Sequence, residues 1–80
     1  MAVVIVPQAL RALTGAERVT LAAGNVLGLL RALDARYPGF ADTLGPRFAV
    51  SIDGTIHGHA DYETLAEDSE VTFLPPLAGG

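Results

Sequence analysis

The chain contains no cysteine and no lysine among its 80 residues. Without cysteine it can build no disulfide, no thiolate metal site, no iron–sulfur cluster and no thiol nucleophile, a composition at home in a reducing cytosol. Without lysine it has no side-chain amine, so it cannot extend isopeptide chains on copies of itself, and the Met1 α-amine is the one amine left. An Arg-favouring composition accounts for the missing lysine without selection for it; the chemical consequence is the same. The longest uncharged runs, such as VTLAAGNVLGLL, fall short of the roughly 18–20 apolar residues of a membrane span. No basic segment precedes the apolar start MAVVIVPQAL, as a signal peptide would require. No basic stripe of the kind a nucleic-acid binder needs is present. The expectation is a soluble cytoplasmic protein that engages neither nucleic acid nor membrane.

Half of the residues are hydrophobic, a globular composition, and the length suits one small domain that buries roughly 60% of the surface of its unfolded chain. The net charge of −4 is unevenly divided. Residues 1–50 hold every basic residue (Arg11, Arg18, Arg31, Arg36, Arg47) against Glu17, Asp34 and Asp42. Residues 51–80 hold Asp53, Asp61, Glu63, Glu67, Asp68 and Glu70 with no cation. The acidic half serves either as a solvated surface or as a field that steers a basic partner.

The β-branched run AVVIV (2–6) predicts a strand stopped by Pro7, QALRALTGA a turn of helix or a loop ending at Gly15, and ERVTL (17–21) a half-buried strand. The two strands are close enough to pair as a hairpin with a wide connection. Asn25 stands at a helix N-cap position, and Val26, Leu29, Leu30, Leu33 and Tyr37 follow as one apolar stripe. Pro38-Gly39 ends that helix. Gly28 inside it costs about 1 kcal/mol relative to Ala, so burial of the stripe must carry the helix. FADTLGP reads as a loop or short turn, and FAVSI (48–52) as a strand with Phe48, Val50 and Ile52 on one face. Asp53-Gly54 is a tight hairpin turn from which TIHGH returns. DYETLAEDS is a loop with room for a helical turn around Leu65, and EVTFL (70–74) is the closing strand, Val71 and Phe73 facing opposite to Thr72 and Leu74. The order is β-β-α-β-β-β. One helix covers one sheet face, so the other, with Leu74 and Ile5, is polar or a partner surface.

No active site emerges from the body of the chain. His57 and His59 could share a strand face, but zinc takes three or four ligands, and only Asp61 and Glu63 stand nearby; ordinary turn histidines are the simpler reading. Ser51 and Ser69 have no histidine at a triad spacing. The glycines match no phosphate-binding loop. Glu67-Asp68 reads as a solvated turn.

The ending, LPPLAGG (74–80), is different. Pro75 and Pro76 cannot donate to a sheet ladder, so the sheet stops at Leu74, and two prolines in succession favour an extended stem. The six residues 75–80 reach at most roughly 20 Å. Gly79 and Gly80 carry no side chain, so their backbone can enter a slot too narrow for a Cβ. A terminal carboxylate is anionic and a poor electrophile at neutral pH; it needs activation, by adenylation for example, before a sulfur or amine nucleophile can attack. A frayed end that happens to be Gly-Gly is the plainer alternative. The chain thus divides into a domain at 1–74 and an extended tail at 75–80.

With this element order and this ending, the chain resembles the MoaD/ThiS family of ubiquitin-like sulfur carriers. The likeness runs through VIVPQALRALTGA (4–16), NVLGLLRALDARYPGF (25–40), SIDG (51–54) and LAEDSEVTFLPPLAGG (65–80), the tail being its most specific part. The resemblance implies an α+β fold, the β-grasp: a mixed sheet of four to five strands with one main helix packed on one face. It implies a carrier rather than an enzyme. An E1-like adenylyltransferase of the MoeB/ThiF type would use ATP to adenylate Gly80, and a sulfur donor would convert the adenylate to a thiocarboxylate. No cofactor would be bound permanently, and no metal. Leu74, Pro75, Pro76, Leu77, Ala78 and Gly79 would bind partners. The sulfur would pass to a synthase, either the molybdopterin synthase large subunit or a pyridoxal-phosphate-dependent synthase. The Pro pair is similar to the molybdopterin synthase small subunit, whereas VPQALRALTG and LDARYPGF look more like carriers of the CysO type that serve cysteine synthesis. A role in thiazole formation fits less well, since those carriers are typically shorter and lack the Pro pair. The same tail would also serve a protein modifier joined through Gly80, or stand inert on an interaction module. Two departures are Glu67-Asp68-Ser69, where family members usually have Asp-Gly-Asp, and Asp53 in place of the usual hairpin Asn.

Overall fold

The computed structural model describes residues 1–58 and 63–74. The first strand, β1 (Ala2–Ile5), alternates buried Ala2 and Val4 with half-buried Val3 and Ile5. Pro7 then sets φ at −63° and opens helix α1 (Gln8–Thr14), since a proline's missing N–H costs nothing at a helix start. Of the two readings of this segment, a turn of helix or a loop, the helical one holds, extended to two turns that bury Leu10. Gly15 ends it at φ 70°, its N–H donating to the Arg11 carbonyl, the left-handed stop that glycine adopts at least cost. Strand β2 (Arg18–Leu21) returns antiparallel to β1, with Val4 opposite Val19. The wide hairpin is confirmed, and α1 is its connection.

Helix α2 (Val26–Arg36) starts where its cap predicts: the Asn25 side-chain oxygen accepts from the Gly28 N–H at 2.8 Å. The same contact supplies a reason for Gly28, because a Cβ there would sit 3.1 Å from that oxygen. Val26, Leu29 and Leu33 are buried, with Leu30 and Tyr37 packed at the margin. Replacing Asn25 with Ala is expected to cost about 1 kcal/mol; a thermal melt should read this as a fall of roughly 4–8 °C for a domain of this size.

A further helix, α3 (Phe40–Leu44), occupies the segment expected as a loop or short turn. Gly39, at φ 96°, turns the chain out of α2. Phe40 and Leu44, one helical turn apart, are both buried. The first turn is capped from a distance, the Ala41 N–H donating to the Asp34 carboxylate at 3.0 Å.

Strand β3 (Ala49–Ile52) begins one residue later than expected, and Phe48 packs edge-on against Phe73 at 5.7 Å. Asp53 and Gly54 adopt φ 50° and 90°, the two positive values that a tight hairpin of matching twist requires, and β4 (Thr55–His57) follows. Among the described residues, no helical turn forms around Leu65. Thr64 instead bridges Asn25, and the Leu65 N–H donates to the Gly24 carbonyl at 3.0 Å. This tie to the entrance of α2 buries Leu65 and gives the backbone partners that a local helix would have supplied.

The last strand, β5 (Glu70–Leu74), enters the middle of the sheet. It runs parallel to β1 and antiparallel to β3, giving the order β2-β1-β5-β3-β4. All three helices of the described residues precede β3 in the chain, and their buried side chains join those of the sheet in one core centred on Phe40, Phe73 and the α2 stripe. Phe40 meets Phe73 edge-to-face at 6.0 Å, a preferred aromatic geometry. No helix of the described residues is long and apolar enough to cross a membrane.

Candidate functional site

Alternation along β5 decides where its end points. Val71 and Phe73 are buried, so Thr72 and Leu74 must face the other side of the sheet. Leu74 lies opposite Ala49 on β3 and is half-buried. The expected placement of Leu74 and Ile5 on the face opposite the core is thus confirmed. The remaining tail positions (Pro75, Pro76, Leu77, Ala78, Gly79 and Gly80) lie outside the described residues, as does His59.

The strand registers lay out the open face row by row. One row crosses the whole sheet: Arg18, Ile5, Thr72, Ser51 and Ile56. The row toward the end of β5 holds Leu74 and Ala49, and the row behind holds Thr20, Val3 and Glu70. Thr72 and Ser51 put small hydroxyl side chains at the centre of the face, Val3, Ile5, Ala49, Leu74 and Ile56 supply apolar surface around them, and Arg18 and Glu70 bring the charges. Ile56 is 68% exposed, and sequence reasoning missed it. Its only sequence signal is its position after the Asp53-Gly54 turn, which sets it across from Ser51 rather than from a core residue.

The far end of β5 is tied down by backbone and side chain together. The Glu70 N–H donates to the Asp53 carboxylate at 2.9 Å, and the Asp53 N–H donates to the Glu70 carbonyl at 2.9 Å. Asp53 thus holds the turn as an Asn would, with its side-chain oxygen as acceptor. Buried Ser69 accepts the Ala66 N–H at 2.9 Å through its hydroxyl, so Glu67-Asp68-Ser69 closes the turn without the usual Asp-Gly-Asp. The Met1 amine donates to the Glu67 carbonyl at this same end.

Groups suited to chemistry are sparse elsewhere. His57 lies opposite Val50 at the sheet's edge strand and is half-buried. No group of three His, Asp or Glu among the described residues could hold a metal. A groove of about 280 Å³ lined by Leu30, Ala41, Asp42, Gly45, Pro46 and Phe48 offers Asp42 as its one ionisable side chain, and a single carboxylate makes no nucleophile–base pair.

Comparison with known proteins places this geometry. The ThiS family model matches residues 4–80. No curated protein matches the sequence. Among solved structures, the chain is similar to one from the Amycolatopsis orientalis BexX/CysO complex, at a TM-score of 0.85 and 22% identity over 100% of both chains. It is similar to the small archaeal modifier protein SAMP1 of Methanosarcina acetivorans, at a TM-score of 0.80 and 21% identity over 99% of this chain and 95% of that one. Mycobacterium tuberculosis CysO superposes with a TM-score of 0.78 and 21% identity over 96% of this chain and 100% of its own. These superpositions establish the β-grasp fold expected from the sequence.

Proposed function

The chain belongs to the ThiS family of ubiquitin-like carriers, and on that premise we propose that it carries sulfur as a thiocarboxylate on Gly80. An E1-like adenylyltransferase joins the Gly80 carboxylate to AMP, releasing pyrophosphate. A sulfur donor then displaces AMP, and the resulting thiocarboxylate gives its sulfur to a synthase. The observation that carries this reading is the Gly-Gly ending, set after a proline pair at the end of the central strand, on a family match that runs to Gly80. A carboxylate is a poor acyl donor until its oxygen becomes part of a leaving group, and adenylation supplies one. Gly79 has no side chain to widen the approach, and Pro75 and Pro76 have no N–H to donate to a sheet ladder.

The open face is the surface on which we place the partners. Leu74 belongs to it and is covalently continuous with the tail, so a protein that takes the tail into a slot meets Leu74, Ala49, Ile5 and Ile56 beside that slot. A charge introduced at Ile56, whose partner across the strands is Ser51, has no opposite charge next to it and is costly to desolvate. Replacing Ile56 with Glu is therefore expected to weaken partner binding by about tenfold or more, at about 1.4 kcal/mol per decade. Because Ile56 is exposed, the melting midpoint should hardly move, and titration calorimetry alongside a thermal melt separates the two effects.

For the acceptor, the proline pair supports the molybdopterin synthase large subunit. Amino-acid sulfur delivery is the second reading, supported by full-length superposition on CysO. Conjugation to other proteins through Gly80 is a third, supported by the likeness to SAMP1; the lysine-free sequence then excludes lysine-linked chains of the protein itself. The first step is tested by ATP–pyrophosphate exchange. An E1-like enzyme should exchange labelled pyrophosphate into ATP only when the intact carrier is added, and exchange that is indifferent to the carrier contradicts the reading. The acceptor is identified by which synthase copurifies.

A further inference from the structure

The uneven charge of the sequence becomes a polarity of the fold. At the start of β5 stand Asp53, Glu67, Asp68 and Glu70, all exposed. Backbone pairing gathers them, through the Asp53–Glu70 hydrogen bonds and the turn that leads into β5. The Met1 amine is the cation bonded at that end among the described residues. At the other end, where β5 leaves the sheet, Arg11, Glu17 and Arg18 stand on the side of β1 and β2, and Arg47 stands on the side of β3, with Asp42 beside its neighbours Pro46 and Phe48. Arg11 is already engaged, its guanidinium 3.9 Å from the Glu17 carboxylate and its Nε donating to the Val6 carbonyl at 3.3 Å. Arg18 and Arg47 are exposed, and neither forms an ion pair among the described residues.

Their positions bracket the exit. Arg18 pairs with Ile5, which pairs with Thr72, so its backbone lies about 10 Å from β5 across two strand spacings. On the other flank, Arg47 precedes by two residues Ala49, the partner of Leu74. Glu70 lies about 13 Å back along the strand from Leu74, beyond the roughly 8 Å over which exposed charges act at physiological salt. A partner facing the exit therefore meets Arg47 beside Asp42 and Arg18 beside Glu17 ahead of the four carboxylates at the start of β5.

Resting on the carrier reading above, we infer that the protein docks exit end first on partners whose tail-receiving slot is rimmed by carboxylates, with Arg18 and Arg47 as the recognising groups. Opposed end charges orient the molecule during approach, because the acidic end is repelled by the same rim that attracts the arginines. Such steering acts on the rate of encounter and fades with salt. The guanidinium forks can then close on carboxylates in two-pronged pairs that hold the exit in register.

The test compares kcat/KM for the carrier in ATP–pyrophosphate exchange by its E1-like enzyme. At low salt the Arg18→Glu, Arg47→Glu double variant should lose about tenfold or more, and the gap should narrow as salt is raised. The Glu67→Gln, Asp68→Asn variant removes charge at the far end and should stay within about twofold or rise. Melting curves must show all proteins folded, and an Arg18→Gln, Arg47→Gln variant with a smaller loss separates charge from side-chain bulk. Full activity of the Glu double variant, a salt-independent loss, or an equal loss in the far-end variant would overturn the inference. Absence of exchange with the unaltered protein would instead overturn the carrier reading.

Discussion

Replacing Gly79 with Val is expected to abolish adenylation of Gly80 while leaving the melting midpoint nearly unchanged. The branched Cβ would have to enter a slot that only bare backbone fits, and its stiffness restricts φ and ψ just behind the reacting carboxylate. A misplacement of about 1 Å at a reacting group costs on the order of a hundredfold, so exchange activity should drop by at least that much. Extending the chain by one residue beyond Gly80 should do the same, since the activated carbon would no longer sit where the nucleotide is held. The fold should not respond. The described core is filled by side chains from Ala2 to Phe73, and a substitution outside such a core typically changes stability by no more than about 0.5 kcal/mol. A pronounced fall in the melting midpoint would mean that the tail packs on the domain, contrary to the role proposed for it.

Phe73→Ala carries the largest expected effect on stability. Phe73 is fully buried in the central strand, between Phe40 at 6.0 Å and Phe48 at 5.7 Å. Truncating a buried Phe to Ala costs about 3–5 kcal/mol. An 80-residue chain has in total about 4–12 kcal/mol of stability. The variant should therefore unfold at or not far above room temperature in a denaturant or thermal titration. Loss of transfer in that variant would follow from loss of the strand that presents the tail, a failure of the scaffold that Gly79→Val does not share. A variant that melts like the unaltered protein would show that the aromatic cluster is not the centre of the core.

These two substitutions separate what the sequence discloses locally from what it discloses only through the fold. Helix α2 was legible because its cap, stripe and stop are contiguous, from Asn25 to Gly39, and the Asp53-Gly54 turn because two adjacent residues supply both positive φ angles. The alternation that turns Leu74 outward was legible for the same reason. Helix α3 was not, since its cap comes from Asp34, seven residues before Ala41, and its stability from burying Phe40 against a strand that follows much later. Leu65 likewise looked like part of a helical turn because the carbonyl that satisfies it, on Gly24, belongs to a distant segment.

The site shows the same division. The residue types of the tail announce a deliverable carboxylate, and this needs no tertiary information. The surface beside the tail depends on register. Ile56 joins Leu74 on the open face only because the hairpin turn has two residues, and a shift of one residue would have sent it inward. The acidic half of the sequence was plain to see, but the gathering of Asp53 with Glu67, Asp68 and Glu70 at the start of β5 rests on the antiparallel pairing of β3 with β5, which no local pattern encodes.

The proposal that Gly80 carries sulfur is tested most directly by intact-mass spectrometry. The protein is incubated with ATP, an E1-like adenylyltransferase and a sulfur donor, beside a sample from which Gly79 and Gly80 have been deleted. The account predicts that the intact protein exchanges one oxygen for one sulfur, with the change confined to the C-terminal peptide and absent from the truncated chain. An unchanged mass under conditions where the enzyme activates a known carrier, or sulfur found on any other peptide, would contradict it.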